Sequence, residues 1–174
     1  MQFEPTRPYT PPPSIEPTGF FTGVKIFPVV VGILVDYVAT YAAMYAYFFL
    51  YLVQELSKDG EVTEEAILQY MTSTEGLMVG FAIGTACTAL GGFVAARKAG
   101  TLELKHGAFV GLGSLILSFI EQRMRGEAVP IPEWFRLLSI IAIIPAGALG
   151  GFVADIFKGF SGSDQTGGRV RPGT

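Results

Sequence analysis

The chain holds one cysteine, one histidine and one tryptophan in 174 residues. A lone Cys87 excludes an intrachain disulfide and any CxxC redox or metal pair. A lone His106 excludes a bis-histidine haem and a multi-histidine metal centre, leaving at most one ligand position for a pigment. Charge is also scarce: 16% of the residues are charged, against about 25% in soluble domains. The formal net charge is −3, so there is no basic footprint for nucleic acid. No nucleophile–base pair, phosphate-binding loop or metal-ligand spacing is found, so a non-enzymatic role is expected. No metal or cofactor is identifiable. The first residues also lack the form of a signal peptide: 1–19 are polar and proline-rich, with no basic stretch leading into a short apolar core.

What the sequence does have is long apolar runs. Half of the residues are hydrophobic and the mean hydropathy is +0.46. A soluble core would show amphipathic helices or alternating strands. Here the runs are nearly continuous and long enough to cross a bilayer, which takes about 20 helical residues. The expected fold is an all-α integral membrane protein with four transmembrane helices at about 26–53, 76–96, 104–121 and 134–157. A proline-rich arm (1–24) precedes the membrane domain (25–158), and a Gly/Ser-rich tail (159–174) follows it. In the first loop Asp59-Gly60 marks a turn. Thr63 followed by Glu64 and Glu65 suits a helix start, so a short surface helix is expected at about 63–72.

Basic residues set the orientation. Arg7, Lys25, Arg97, Lys98, Lys105, Lys158, Arg169 and Arg171 fall on one side, against Lys58, Arg123, Arg125 and Arg136 on the other. Both termini are therefore expected in the cytoplasm, with the chain in the cell (inner) membrane.

The heptapeptide Ala89-Leu90-Gly91-Gly92-Phe93-Val94-Ala95 recurs unchanged as Ala148-Leu149-Gly150-Gly151-Phe152-Val153-Ala154. Both copies end an even-numbered span. Two hairpins related by duplication in parallel orientation are the economical reading. The competing reading is coincidence within a small apolar alphabet.

Small residues recur at every fourth position of span two: Gly76, Gly80, Gly84, Thr88 and Gly92. Gly107 and Gly111 in span three and Gly147 and Gly151 in span four continue the theme. Lipid gives helices no hydrophobic reason to associate, so close backbone approach along such stripes is expected to pack the bundle.

Span one differs. Tyr37, Tyr41 and Tyr45 follow helical spacing, and the deeper hydroxyls need partners in hydrocarbon. They are expected to pack against the small residues of span two; a bound lipid, quinone or pigment is the functional alternative. Asp36 is the one acid well inside a span, eleven residues past Lys25 or about 16 Å along a helix. An intramembrane acid is a functional-site hypothesis by default. Thr40 on its own helix, and Thr85, Thr88, Ser114 or Ser118 on others, are its expected partners. The bland reading is a neutral, hydrogen-bonded aspartate. His106, beside Lys105, is expected at the membrane interface.

The stretch Gly91-Gly92-Phe93-Val94-Ala95-Ala96-Arg97, followed by His106-Gly107-Ala108-Phe109-Val110-Gly111, resembles small bacterial four-helix membrane proteins of uncharacterised activity. These carry GG(Y/F)VAAR…HGxxVG between spans two and three. The resemblance implies the four-helix fold and a prokaryotic origin, and no activity.

Two functions follow from these features. The first is a non-catalytic accessory subunit of a larger membrane complex, with the lipid bilayer and other membrane subunits as partners. The alternative is a small homo-oligomeric transporter or channel that moves protons or cations through Asp36.

Overall fold

A computed structural model describes residues 19, 21–58, 60, 62–125 and 131–163 of the chain. Among these residues there are five helices and no strands. Helix α1 spans Ile26–Leu56, α2 Glu64–Thr72, α3 Thr74–Ala99, α4 Glu103–Arg125 and α5 Glu133–Ser163. All except α2 are long and apolar enough to cross a membrane. The expected arm lies outside the described residues apart from 19 and 21–24. The helix of span four runs through Ser163 into the segment expected to be tail, and the rest of that tail lies outside the described residues.

Local chemistry sets the helix ends. The Thr63 hydroxyl accepts from the Ala66 N–H at 3.2 Å and opens α2. The Ser73 hydroxyl accepts from the Gly76 N–H at 3.1 Å and opens α3. Each satisfies a backbone donor that the first helical turn leaves orphaned. Gly100 ends α3 in the left-handed region (φ 68°), where a residue without Cβ is unstrained. Near the end of α1, Phe48–Leu52 winds as a π-helical turn before Val53–Leu56 resumes the α form. That turn puts Leu52 in the interior and stacks Tyr47 on Tyr51 at 5.3 Å. The Tyr47 hydroxyl is hydrogen-bonded to that of Tyr70 on α2, which docks the short helix onto the bundle. Burial, and secondly this bond, push the Tyr70 phenol well above the usual tyrosine range.

Helices α3 and α4 form the centre of the bundle; α1 and α5 flank them, each packing on both. α1 and α4 run in parallel and in steady register. Lys25 meets His106, Asp36 meets Ser114 and Tyr41 meets Glu121, at sequence separations of 81, 78 and 80. Lys25 and His106 lie on the face where α1 begins and α5 ends (the terminal face); Tyr41 and Glu121 lie toward the face that carries α2.

Close backbone approach is concentrated toward the terminal face. A Cβ on Gly32 would sit 2.7 Å from the Gly91 carbonyl oxygen and 2.6 Å from Val110 Cγ2. One on Gly91 would sit 2.9 Å from Asp36 Cβ. A Cβ on Gly92 would strike the Gly147 carbonyl oxygen, and Gly107 and Gly147 face each other in the same way. Gly111 abuts Ile143 and Ile144, and Gly151 abuts Glu103 and Leu104.

Each heptapeptide uses its glycine pair to meet two different helices. In α3 the first glycine, Gly91, meets α1 and the second, Gly92, meets α5. In α5 the first, Gly150, meets Ala89 and Phe93 of α3, and the second, Gly151, meets α4. Adjacent glycines point about 100° apart on a helix, so each pair forms a corner serving two neighbours.

Candidate functional site

Gly80 and Gly84 depart from the expected packing. A Cβ on either would meet nothing within 4 Å. Gly76 packs beneath α2, against Tyr70 and Met71, and not against a spanning helix. Where the stripe was expected to hold a neighbouring helix, α3 instead borders a cavity of about 580 Å³. All five helices contribute to its wall, α2 through Leu68 and Met71. Gly32, Gly91 and Gly92 meet neighbouring backbone, whereas Tyr37, Tyr41, Phe81 and Phe135 line the open space on the α2 side.

Asp36 lies in the wall of this cavity nearest the tightly packed half and is 6% exposed. Three hydroxyls from three helices converge on it. Ser114 Oγ donates to Oδ2 at 2.5 Å, Thr40 Oγ1 reaches Oδ1 at 3.3 Å, and Thr88 Oγ1 lies 3.2 Å from each oxygen. Thr88 also lies 3.0 Å from the Gly84 carbonyl oxygen. A hydroxyl has one proton and two lone pairs. Thr88 can therefore donate to Asp36, or donate to Gly84 and accept a proton carried by Asp36. The same geometry serves both charge states of the carboxyl. Thr85 and Ser118, the other expected partners, bond to the carbonyls of Phe81 (2.6 Å) and Ser114 (3.0 Å) on their own helices.

Toward α2 the polar line continues along α1. The Tyr37 hydroxyl is 3.4 Å from that of Tyr41, and their rings are 4.7 Å apart. The Tyr41 hydroxyl donates to Glu121 Oε1. A second hollow of about 460 Å³ lies beyond this pair and shares Tyr41, Glu121, Thr40 and Met71 with the first. Tyr37 and Tyr41 thus face the cavity; the close approach of α1 to α3 is made by Gly32. Glu121 lies at the end of span three, where a charge is ordinary by sequence position alone. Its depth equals that of Tyr41 once α1 and α4 are aligned on Lys25 and His106, and that alignment was the missing signal.

His106, expected at the membrane interface, lies on the terminal face and is fully buried within the protein. Its Nε2 accepts the Lys25 backbone N–H at 2.9 Å, so the proton sits on Nδ1, which donates to the Leu102 carbonyl at 3.0 Å. Both ring nitrogens are occupied, which closes the one position at which a pigment metal had a histidine. Around it Lys25 Nζ donates to the Ala99 carbonyl at 2.8 Å. Lys158 Nζ donates to the Gly100 carbonyl at 2.6 Å and to Glu103 at 2.7 Å. The α3–α4 connection is thereby tied to the start of α1 and the end of α5. Leu102, in this connection, is the one non-glycine among the described residues with positive φ (51°).

The arrangement is asymmetric across the bundle. One half is sealed by glycine contacts and the His106 tie; the other is hollow and leads to a buried carboxyl. No group of three or more His, Cys, Asp or Glu suited to a metal ion occurs among the described residues. No protein-family model, curated protein or solved structure matches the chain.

Proposed function

We propose that the chain is a small membrane transport protein that binds its solute inside the bundle, with Asp36 as the proton- or cation-binding group. The observation that supports this reading is the cavity that ends on Asp36. An acid 6% exposed among apolar helices is costly to keep. Serine and threonine on three helices satisfy it, and they leave it bordering a space large enough for a ligand. The distribution of basic residues supports placing the chain in the cell (inner) membrane with both termini in the cytoplasm. The cavity then opens toward the outer side and the glycine-packed half forms the inner seal.

The accessory-subunit reading draws on the outward face of α1, where Phe27, Val30, Leu34, Val38 and Phe49 are exposed. Lipid covers such a face as well as a partner does, so the cavity carries more weight.

The test is proton flux in proteoliposomes that enclose a pH-sensitive dye, driven by an imposed membrane potential. Wild-type vesicles are expected to take up protons faster than empty ones, and Asp36→Asn vesicles to behave as empty ones. Unaltered flux through Asp36→Asn sinks the assignment.

A further inference from the structure

The lining of the cavity points beyond a carboxyl to a class of ligand. We infer that the site selects an organic cation with an apolar, aromatic-sized body; this rests on the Asp36 reading above. Three observations carry it. The first is charge. Two acids, Asp36 and Glu121, line the cavity, and none of the described residues lining it is basic. Lys25 and Lys158 are held at the terminal face by carbonyl oxygens. Among the described residues Asp36 has hydroxyl partners only, so none of their cations neutralises it, and hydroxyls rotate readily from one acceptor to another. With Asp36 ionised, an anion entering this space is repelled.

The second is size and surface. About 580 Å³ falls in the range of small-molecule pockets, roughly 300–1,000 Å³. An inorganic cation would leave most of that space unfilled. A dehydrated hard cation also wants six to eight oxygens, and the cluster at Asp36 offers its own two and those of Thr40, Thr88 and Ser114. The third is aromatic faces. Tyr37, Tyr41, Phe81 and Phe135 line the same space, and the face of an aromatic ring attracts an organic cation. An apolar body carrying one positive charge matches the whole wall; an inorganic ion matches only its deepest part.

Cation and proton compete for one carboxyl, so binding weakens as pH falls. Tyr37, Tyr41 and Glu121 are the other titratable groups that line the cavity. Ser114 and Thr88 carry no ionisable group, and α5 presents Phe135, Ser139 and Ile143.

The probe is tetraphenylphosphonium, titrated calorimetrically into the purified full-length chain in detergent. Tetraphenylborate, of the same shape and opposite charge, is the control. Saturable binding of the phosphonium alone is expected, weaker at about pH 5 than at about pH 8. Asp36→Asn should weaken it on the order of tenfold or more, the loss of a unit-charge attraction at several ångströms in a medium of intermediate dielectric. Gly80→Leu should also abolish binding while leaving the unfolding midpoint in place, because its side chain grows into open space. Equal binding of the borate, or unchanged binding by Asp36→Asn, overturns the inference. Failure of the phosphonium to bind, with Asp36-dependent proton flux intact, overturns the ligand class and leaves the Asp36 reading standing. Loss of both overturns both.

Discussion

Alanine at Gly92 and alanine at Gly84 add the same methyl group to the same small-residue stripe of α3, yet they should have opposite consequences. At Gly92 the new Cβ would strike the Gly147 carbonyl oxygen and lie 3.0 Å from the Gly147 Cα. Ordinary carbon–carbon contact is about 3.5–4.0 Å. The obstacle is backbone, so no side chain can swing away, and α3 and α5 must separate by roughly 0.5–1 Å. A gap of that size forfeits about a quarter to a half of each dispersion contact it opens. For some 40 atom pairs at about 0.15 kcal/mol each, that is about 2 kcal/mol, within the range of about 1–3 kcal/mol for overpacked cores. At Gly84 nothing lies within 4 Å, so the methyl costs no packing and stability should hold to within about 0.5 kcal/mol. Reversible unfolding in mixed detergent–SDS micelles, followed by far-ultraviolet circular dichroism, reads the difference. Equal destabilisation by the two substitutions would refute the division of α3 into a packed half and a cavity-lining half.

Further expectations follow from the other contacts. Ser114→Ala removes the shortest bond to Asp36 and should cost about 1–3 kcal/mol of stability, with Ser114→Thr milder; a smaller loss than at the exposed Ser57→Ala would contradict the network. His106→Leu leaves the Lys25 N–H and the Leu102 carbonyl without their partner, at about 1–3 kcal/mol for each buried group. Amide exchange should accelerate at residues 24–28 and around 102, ahead of global unfolding. The Tyr70 phenol is held above its ordinary value of about 10. Its contribution is therefore full below about pH 10 and is lost as pH rises toward the folded-state value. Hydrogen exchange in α2 should quicken above about pH 10, and Tyr70→Phe should remove that step while loosening α2 at neutral pH.

Much of the architecture was legible because segments long and apolar enough to cross lipid must satisfy their backbone internally to do so. An apolar run of about 20 residues then specifies a helix, and Thr63 with its following acids specifies the start of α2. Asp36 stood out for a similar reason: one acid among apolar neighbours is visible at any register. Its partners Thr40, Thr88 and Ser114 were all on the expected set, but so were Thr85 and Ser118, which turn back on their own helices. Composition cannot separate these, because all five carry the same hydroxyl and only helix rotation decides which one faces the acid. The π-helical turn at Phe48–Leu52 had no signature at all, since its residues are ordinary helix apolars.

The sequence by itself determined the number of the helices and their approximate positions, the rarity of charge within them and the place of Asp36 deep in the first. Hydropathy and length are properties of one segment at a time. Tertiary structure alone decided which glycines touch a neighbour and which border a void, that His106 is a buried tie, and that Glu121 stands opposite Tyr41. Each of these depends on the relative register and splay of two or more helices, and that is set by close contacts between residues such as Gly32 and Gly91 that lie far apart in the chain. The single histidine shows the division most clearly. Its scarcity excluded whole classes of metal site, and its place in the bundle, with both nitrogens occupied, showed what it does instead.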